Sequence, residues 1–180
     1  MTPDKFLARS QQQLMAMRQI KRKHVAVGVL ASEASKRVYE SGADVLQVAA
    51  ANEFGTTTIP QRSFLVMPQE LKAPEISKFI RVQLGKVLEG REVKKGLGLI
   101  GVFVTNVSVD AFDTGGFGKW PPHSDITTEL RRSGGASSIK DVANAAKASK
   151  SAFFEKARDG ENALLIDTGT LKNSVTYEVR

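Results

Sequence analysis

The chain has 180 residues, of which 41% are hydrophobic and 25% charged, with no cysteine and a formal net charge of +7. This length and composition predict a single folded domain over residues 1–180. The lack of thiols excludes disulfides, thiolate zinc sites and a cysteine nucleophile. There is no run of 18 apolar residues and no signal-peptide pattern at the N-terminus, so the sequence predicts no membrane partner and a cytoplasmic place of synthesis.

Hydrophobic spacing predicts an α+β fold, in which a small antiparallel or mixed sheet packs against several helices. Alternating valines predict a strand near residues 24–31, and a second strand is expected near residues 174–179. These strands lie at opposite ends of the chain, and their pairing would close the domain. Helical spacing and end signals predict helices at residues 4–21, 44–53, 74–89 and 92–112.

The segment 92–112 fits two patterns. Val93, Leu97, Ile100 and Val104 recur at helical spacing, whereas β-branched residues and glycines favour a strand. Because about twenty residues is long for a strand, we expect a helix that is buried on more than one face.

The C-terminal third contains a loop and a predicted insertion. Residues 113–124 are rich in glycine and proline, and Trp120 is the expected anchor of this loop. Residues 133–160 are expected to form an inserted flexible or helical element, with an extra helix near 139–158. Asp167 and Thr168 are expected to cap the turn before the last strand.

Few residues in the sequence suggest chemistry. Residues 96–101 match GxGxxG, but Lys94 and Lys95 precede the motif where a strand is required, and the positions that follow do not form a dinucleotide-binding unit. Close helix packing is therefore the better interpretation of these glycines. Two weaker alternatives are a Glu53–Asp113 carboxylate pair and a small hydrolase that uses Asp113, His123 and Ser124. We expect no catalysis, no cofactor and no metal site.

Basic residues near the end of the first predicted helix suggest contact with nucleic acid. The candidate DNA-facing residues are Arg18, Lys21, Arg22 and Lys23. A module that binds phosphates through this cluster and through Arg131 and Arg132, without catalysis, is an alternative function. Aromatic residues do not interleave with the cluster, so a stacking platform for single strands is not indicated.

The most tightly specified segment is Asn52-Glu53-Phe54-Gly55-Thr56, followed by Ile59-Pro60-Gln61-Arg62-Ser63-Phe64-Leu65. Its glycine and proline predict a fixed turn, and the aromatic residue after it would return the chain to the core. We expect Glu53 and Arg62 to hold this turn, either by pairing with each other or across a subunit boundary. Trp120 is either a core anchor or an interface hot spot. The candidate interface residues are Glu53, Phe54, Gly55, Thr56, Pro60, Arg62 and Trp120.

Four segments in this order resemble the tail-completion, or neck, proteins of tailed bacteriophages, also called virion morphogenesis proteins. They are Val-Ala-Ala-Ala-Asn-Glu-Phe-Gly-Thr (48–56), Ile-Pro-Gln-Arg-Ser-Phe-Leu (59–65), Lys-Trp-Pro-Pro-His-Ser (119–124) and residues 164–179, which contain Asp-Thr-Gly-Thr-Leu. The resemblance spans roughly residues 24–125 and 163–180. The chain departs from the family at Asn52, Ser63 and His123, where the family usually has His or Gln, Pro, and an apolar residue.

The resemblance implies a structural role without catalysis. Such proteins form rings, commonly hexamers, at the head–tail junction of the virion neck, and are present in the host cytoplasm during assembly. The implied partners are other copies of the chain, the head connector or adaptor protein, the tail terminator or tail tube protein, and the DNA that passes through the lumen.

Overall fold

A computed structural model of the chain describes residues 3–31, 44–122, 165 and 169–180. Within these ranges the fold is α+β, as the hydrophobic spacing predicted, with five α-helices and one two-stranded antiparallel sheet. In chain order the elements are α1 (Pro3–Lys21), β1 (Val25–Val29), α2 (Val45–Phe54), α3 (Val66–Leu71), α4 (Ala73–Leu88), α5 (Val93–Asp113), a 3-10 turn (Lys172–Ser174) and β2 (Val175–Val179).

The sheet joins the two ends of the chain. Strands β1 and β2 run antiparallel, with Val25 opposite Val179 and Val29 opposite Val175. The ladder continues one residue further, where the backbone N–H groups of His24 and Arg180 each donate to the other's carbonyl at 2.9 Å. The predicted pairing of the terminal strands is therefore confirmed.

Helix α5 is the centre of the fold and packs against both strands, α3 and α4. Its buried apolar residues include Leu97, Ile100, Val104 and Val107, which confirms the helical interpretation of this segment. Burial on several faces explains why β-branched residues tolerate a helix here, since packing outweighs local preference. By length and composition alone α5 could cross a membrane, but half of the most apolar stretch of this helix is buried inside the fold.

Two apolar clusters hold the helices and the sheet together. One contains Phe64, Phe112 and Trp120 and lies beside the turn that follows α2. The other fills the space between α4 and α5, and residues of α1 and both strands pack on it. The first cluster therefore supports the segment that the sequence singled out.

Two of the three glycines in the GxGxxG match, Gly96 and Gly101, serve close packing, as predicted. A Cβ atom added at Gly96 would lie 2.4 Å from Val87 Cγ2, and one at Gly101 would lie 2.2 Å from Tyr177 Cδ2. Real side chains do not approach this closely, so α5 can contact α4 and β2 at these points only through glycine.

We expect Gly101→Ala to lower the free energy of unfolding by about 1–3 kcal/mol, because the new methyl group displaces the Tyr177 ring. The matched control is Gly85→Ala in α4, where an added Cβ meets nothing within 4 Å. There alanine is expected to stabilise by about 0.5–1 kcal/mol through its better helix propensity. Urea denaturation measures both variants, and equal shifts of the same sign would contradict this account of Gly101.

Helix α3 was not predicted from the sequence. It has six residues, including Pro68, and so shows no periodic pattern. Residues 114–119 of the predicted glycine- and proline-rich loop form consecutive turns. Other predictions lie outside the described residues, namely the 133–160 insertion with its helix near 139–158, the Asp167–Thr168 cap, and the roles of His123, Ser124, Arg131 and Arg132.

Candidate functional site

The segment after α2 is a closed turn. The helix ends at Phe54, and Gly55 follows with φ 74°, a left-handed value that favours glycine. The N–H of Thr56 donates to the Ile59 carbonyl at 2.8 Å, and the Ile59 N–H donates back to Thr56 Oγ1 at 2.9 Å. Backbone and side chain therefore close the loop between residues 56 and 59 in both directions.

A buried carboxylate organises this turn from inside. Glu53 is 5% exposed, and its two oxygens accept from Ser63 Oγ at 2.7 Å and from the N–H groups of Phe64, Leu65 and Val66 at 2.8–3.0 Å. These backbone groups lie at the start of α3, where a helix leaves its first N–H donors unpaired. A negative charge is also favourable at a helix N-terminus. Glu53 therefore caps a helix that lies 13 residues further along the chain.

Ser63 completes the cap of α3. Its hydroxyl donates to Glu53 and accepts at 2.9 Å from the N–H of Met67, a first-turn donor of α3 that has no partner within the helix. The resemblance pointed to this position as a departure from the family's usual proline. Because proline has no hydroxyl, it could make neither of these two hydrogen bonds.

Arg62 is buried as deeply as Glu53 and makes a different connection. Its Nε donates to the Pro121 carbonyl at 3.0 Å and its Nη2 to the Pro122 carbonyl at 2.9 Å. The expectation that Glu53 and Arg62 pair with each other is wrong, because the four hydrogen bonds to Glu53 come from other residues. Pairing across a subunit boundary stays a prediction. Residues of opposite charge in one turn suggested a pair, but the sequence does not show which side of the chain each side chain enters.

Trp120 links the turn to the core. Its ring is 7% exposed, stands edge-on to Phe112 at 5.7 Å between centroids, and donates from Nε1 to the Ser63 carbonyl at 2.9 Å. These contacts are those of a core anchor, the first of the two roles expected for Trp120. Together with Arg62, it ties residues 120–122 to the segment that follows α2.

The outer side of the turn exposes two large apolar side chains beside its threonines. Phe54 is 74% exposed although it follows the buried Glu53 directly, and Val66, whose N–H binds the Glu53 carboxylate, is 54% exposed. We use the name turn patch for the exposed side chains of Phe54, Ile59, Val66 and Leu71. The candidates Thr56 and Pro60 are also exposed, whereas the candidates Glu53, Arg62 and Trp120 are buried.

Helix α1 itself carries a second exposed apolar surface, which was not predicted from the sequence. Only the helix's other side meets the core, through Ala16 and Ile20. The candidate DNA-facing residues Arg18, Lys21, Arg22 and Lys23 are all exposed. Five large apolar side chains of α1 are at least half exposed, namely Phe6, Leu7, Leu14, Met15 and Met17.

The described residues bring together no catalytic arrangement suggested by the sequence. Glu53 is engaged in the cap of α3, and Asp113 is exposed and forms an ion pair with Lys172. His24 is exposed beside the last strand pair. Within residues 3–31, 44–122, 165 and 169–180, no three His, Asp or Glu side chains are grouped so as to hold a metal ion.

No protein-family model, curated protein or solved structure matches this chain. Its function is therefore inferred from the geometry of the described residues and from the four motifs.

Proposed function

We propose that this chain is a structural protein of the neck of a tailed-bacteriophage virion, where it forms a ring that joins the head connector to the tail. The observation that supports this proposal best is the construction of the turn after α2. Its inner side is fixed by the buried Glu53, and its outer side exposes Phe54 and Val66. The motif residues thus build a surface for contact with protein.

A fixed apolar surface suits assembly for two physical reasons. Exposed apolar patches on a folded chain mark sites that bind other proteins or membranes. A surface that is already ordered loses little conformational freedom on binding, so more of its contact energy appears as affinity. The four hydrogen bonds to Glu53 supply this order in the free chain.

A ring also needs two different contact surfaces on each subunit, because a head-to-tail contact must repeat around the circle. The turn patch and the exposed side of α1 are two such surfaces. From the resemblance we propose six subunits, the head connector or adaptor on one side, and the tail terminator or tail tube on the other. The proposed location is the virion neck.

The ring would surround the DNA passage. At the end of α1, four cationic side chains are exposed together, namely Arg18, Lys21, Arg22 and Lys23. Contacts of lysine and arginine with phosphates are independent of base sequence and weaken with salt. Facing the lumen, this cluster would bind passing DNA without reading its sequence.

The test is the native mass of the purified protein, measured by sedimentation velocity over a hundredfold range of concentration, together with negative-stain images. We expect a closed species of about six chains of 19.5 kDa each, with a central hole. A sample that stays monomeric throughout this range and binds neither connector nor tail terminator would contradict the neck assignment.

The second candidate is a basic nucleic-acid-binding module, and the exposed cationic cluster favours it. Here a single chain would bind duplex DNA, and the logarithm of affinity would fall with the logarithm of salt concentration with a slope of about −3 to −4 for four neutralised phosphates. Fluorescence anisotropy with labelled duplex distinguishes the two functions, since a ring component has no need for tight binding by a monomer.

A further inference from the structure

We propose that α1 is the docking arm of this protein, and that its exposed apolar side chains pack on the turn patch of a second copy of the chain. This inference rests on the proposed ring and names the two surfaces that meet in it. It is carried by the exposure of α1 and by the distribution of charge.

The exposed side of α1 carries an apolar stripe, which Ser10 interrupts. At about 100° per residue, Phe6, Leu7, Leu14 and Met17 fall within one arc of about 100° around the helix axis. Ala16 and Ile20 lie outside this arc and pack on the core. The helix is therefore fixed to its own subunit along one side and has an apolar stripe free along another.

The contact is small. The four side chains of the stripe offer roughly 100 Å² each, or about 400 Å² on one partner. The four side chains of the turn patch offer a similar area, so one contact buries about 800 Å², which is in the range of weak, transient interfaces. In a closed ring every subunit makes this contact twice, once with each surface.

The distribution of charge favours contact between α1 and the turn patch over contact between two α1 helices. Helix α1 has four basic residues and one acidic residue, a net charge of +3. The segment 44–71, which contains the turn patch, has three acidic residues and one arginine, a net charge of −2. Two α1 helices would repel each other, whereas α1 and this segment attract. Such complementarity guides register and speeds association.

Charge also disfavours two other exposed apolar side chains. Val82 on α4 lies one turn after Lys78, and Leu99 on α5 lies one turn after Lys95. In the turn patch, Val66 instead lies one turn before the exposed Glu70. The docking of α1 on the turn patch is head-to-tail, the kind of contact that closes into a ring.

Disulfide trapping tests this contact directly, because the chain has no cysteine of its own. Leu14→Cys is mixed with Val66→Cys, one chain carrying a tag that separates heterodimers from homodimers by mass. The matched control replaces Val66→Cys by Val82→Cys, since Val66 and Val82 are 54% and 45% exposed. Circular dichroism checks that each variant is folded. After mild oxidation we expect the Leu14–Val66 heterodimer to exceed the control heterodimer at least tenfold.

The outcomes separate this inference from the ring proposal. Homodimers of Leu14→Cys, or equal trapping by Val82→Cys, would overturn the docking of α1 on the turn patch. So would a lack of cross-links in a sample whose wild-type chain forms rings, and the ring proposal would then stand with other surfaces. Cross-linked open chains without a closed ring would support the contact and overturn the ring.

Discussion

Replacing Glu53 with alanine is expected to lower the free energy of unfolding by about 3–5 kcal/mol, because four neutral donors lose their shared acceptor. The substitution removes the acceptor of four hydrogen bonds and leaves the donors of Ser63, Phe64, Leu65 and Val66 in a site with little access to water. Each unpaired buried donor costs about 1–3 kcal/mol before the site relaxes. Urea denaturation followed by far-UV circular dichroism measures the loss.

Two variants show whether the loss comes from the carboxylate. Glu53→Gln keeps the shape but presents an amide N–H₂ to backbone N–H groups, so we expect a loss of about 1.5–3 kcal/mol. Glu70→Ala removes an exposed glutamate of α3 and should change stability by less than about 0.5 kcal/mol. If Glu53→Ala behaved like Glu70→Ala, the proposed inner support of the turn would be wrong.

The second large effect is expected at the only tryptophan. Trp120→Ala should lower the free energy of unfolding by about 3–5 kcal/mol, the usual cost of truncating a buried aromatic side chain. The variant loses the edge contact with Phe112 and leaves the Ser63 carbonyl without its donor. It also opens a space beside Gly116, where an added Cβ would lie 2.3 Å from the indole Cδ1.

Phe54→Ala is the matched control for Trp120→Ala, since it truncates an aromatic side chain that is 74% exposed. At protein concentrations where the chain is monomeric, its stability should remain within about 0.5 kcal/mol of the wild-type value. Both variants are measured by the same denaturation experiment. A similar loss for the two would mean that Trp120 does not anchor the loop in the way its contacts indicate.

The motif residues fall into two groups, one buried and one exposed, and substitutions in the two groups are expected to have different effects. Glu53, Ser63 and Trp120 face inward and determine the shape of the segment, while Phe54 and Val66 face outward and remain available. Substitutions of the first group should act on stability and thereby on assembly. Substitutions of the second group leave the fold intact, which makes them the proper probes of the proposed ring.

Several features of the fold could be predicted from the sequence because they depend on neighbours along the chain. Alternating valines identified β1, and the spacing of Leu97, Ile100 and Val104 identified α5. Two glycines of the GxGxxG match were correctly assigned to packing, since the flanking residues did not form a dinucleotide-binding unit. The position and the fixed nature of the turn after α2 also followed from its glycine and proline.

The tertiary structure alone decided how that turn is held and what it exposes. Helix α3 begins where Glu53 accepts its first N–H groups, from 11 to 13 residues away, and such distant partners leave no periodic signal in a sequence. Arg62 was expected beside Glu53, yet it reaches carbonyls 59 and 60 residues further along the chain. The sequence predicted a helix at residues 4–21, and α1 spans Pro3–Lys21. Which side of the helix meets the core was determined by the packing of Ala16 and Ile20, because spacing defines a stripe but not the surface that covers it.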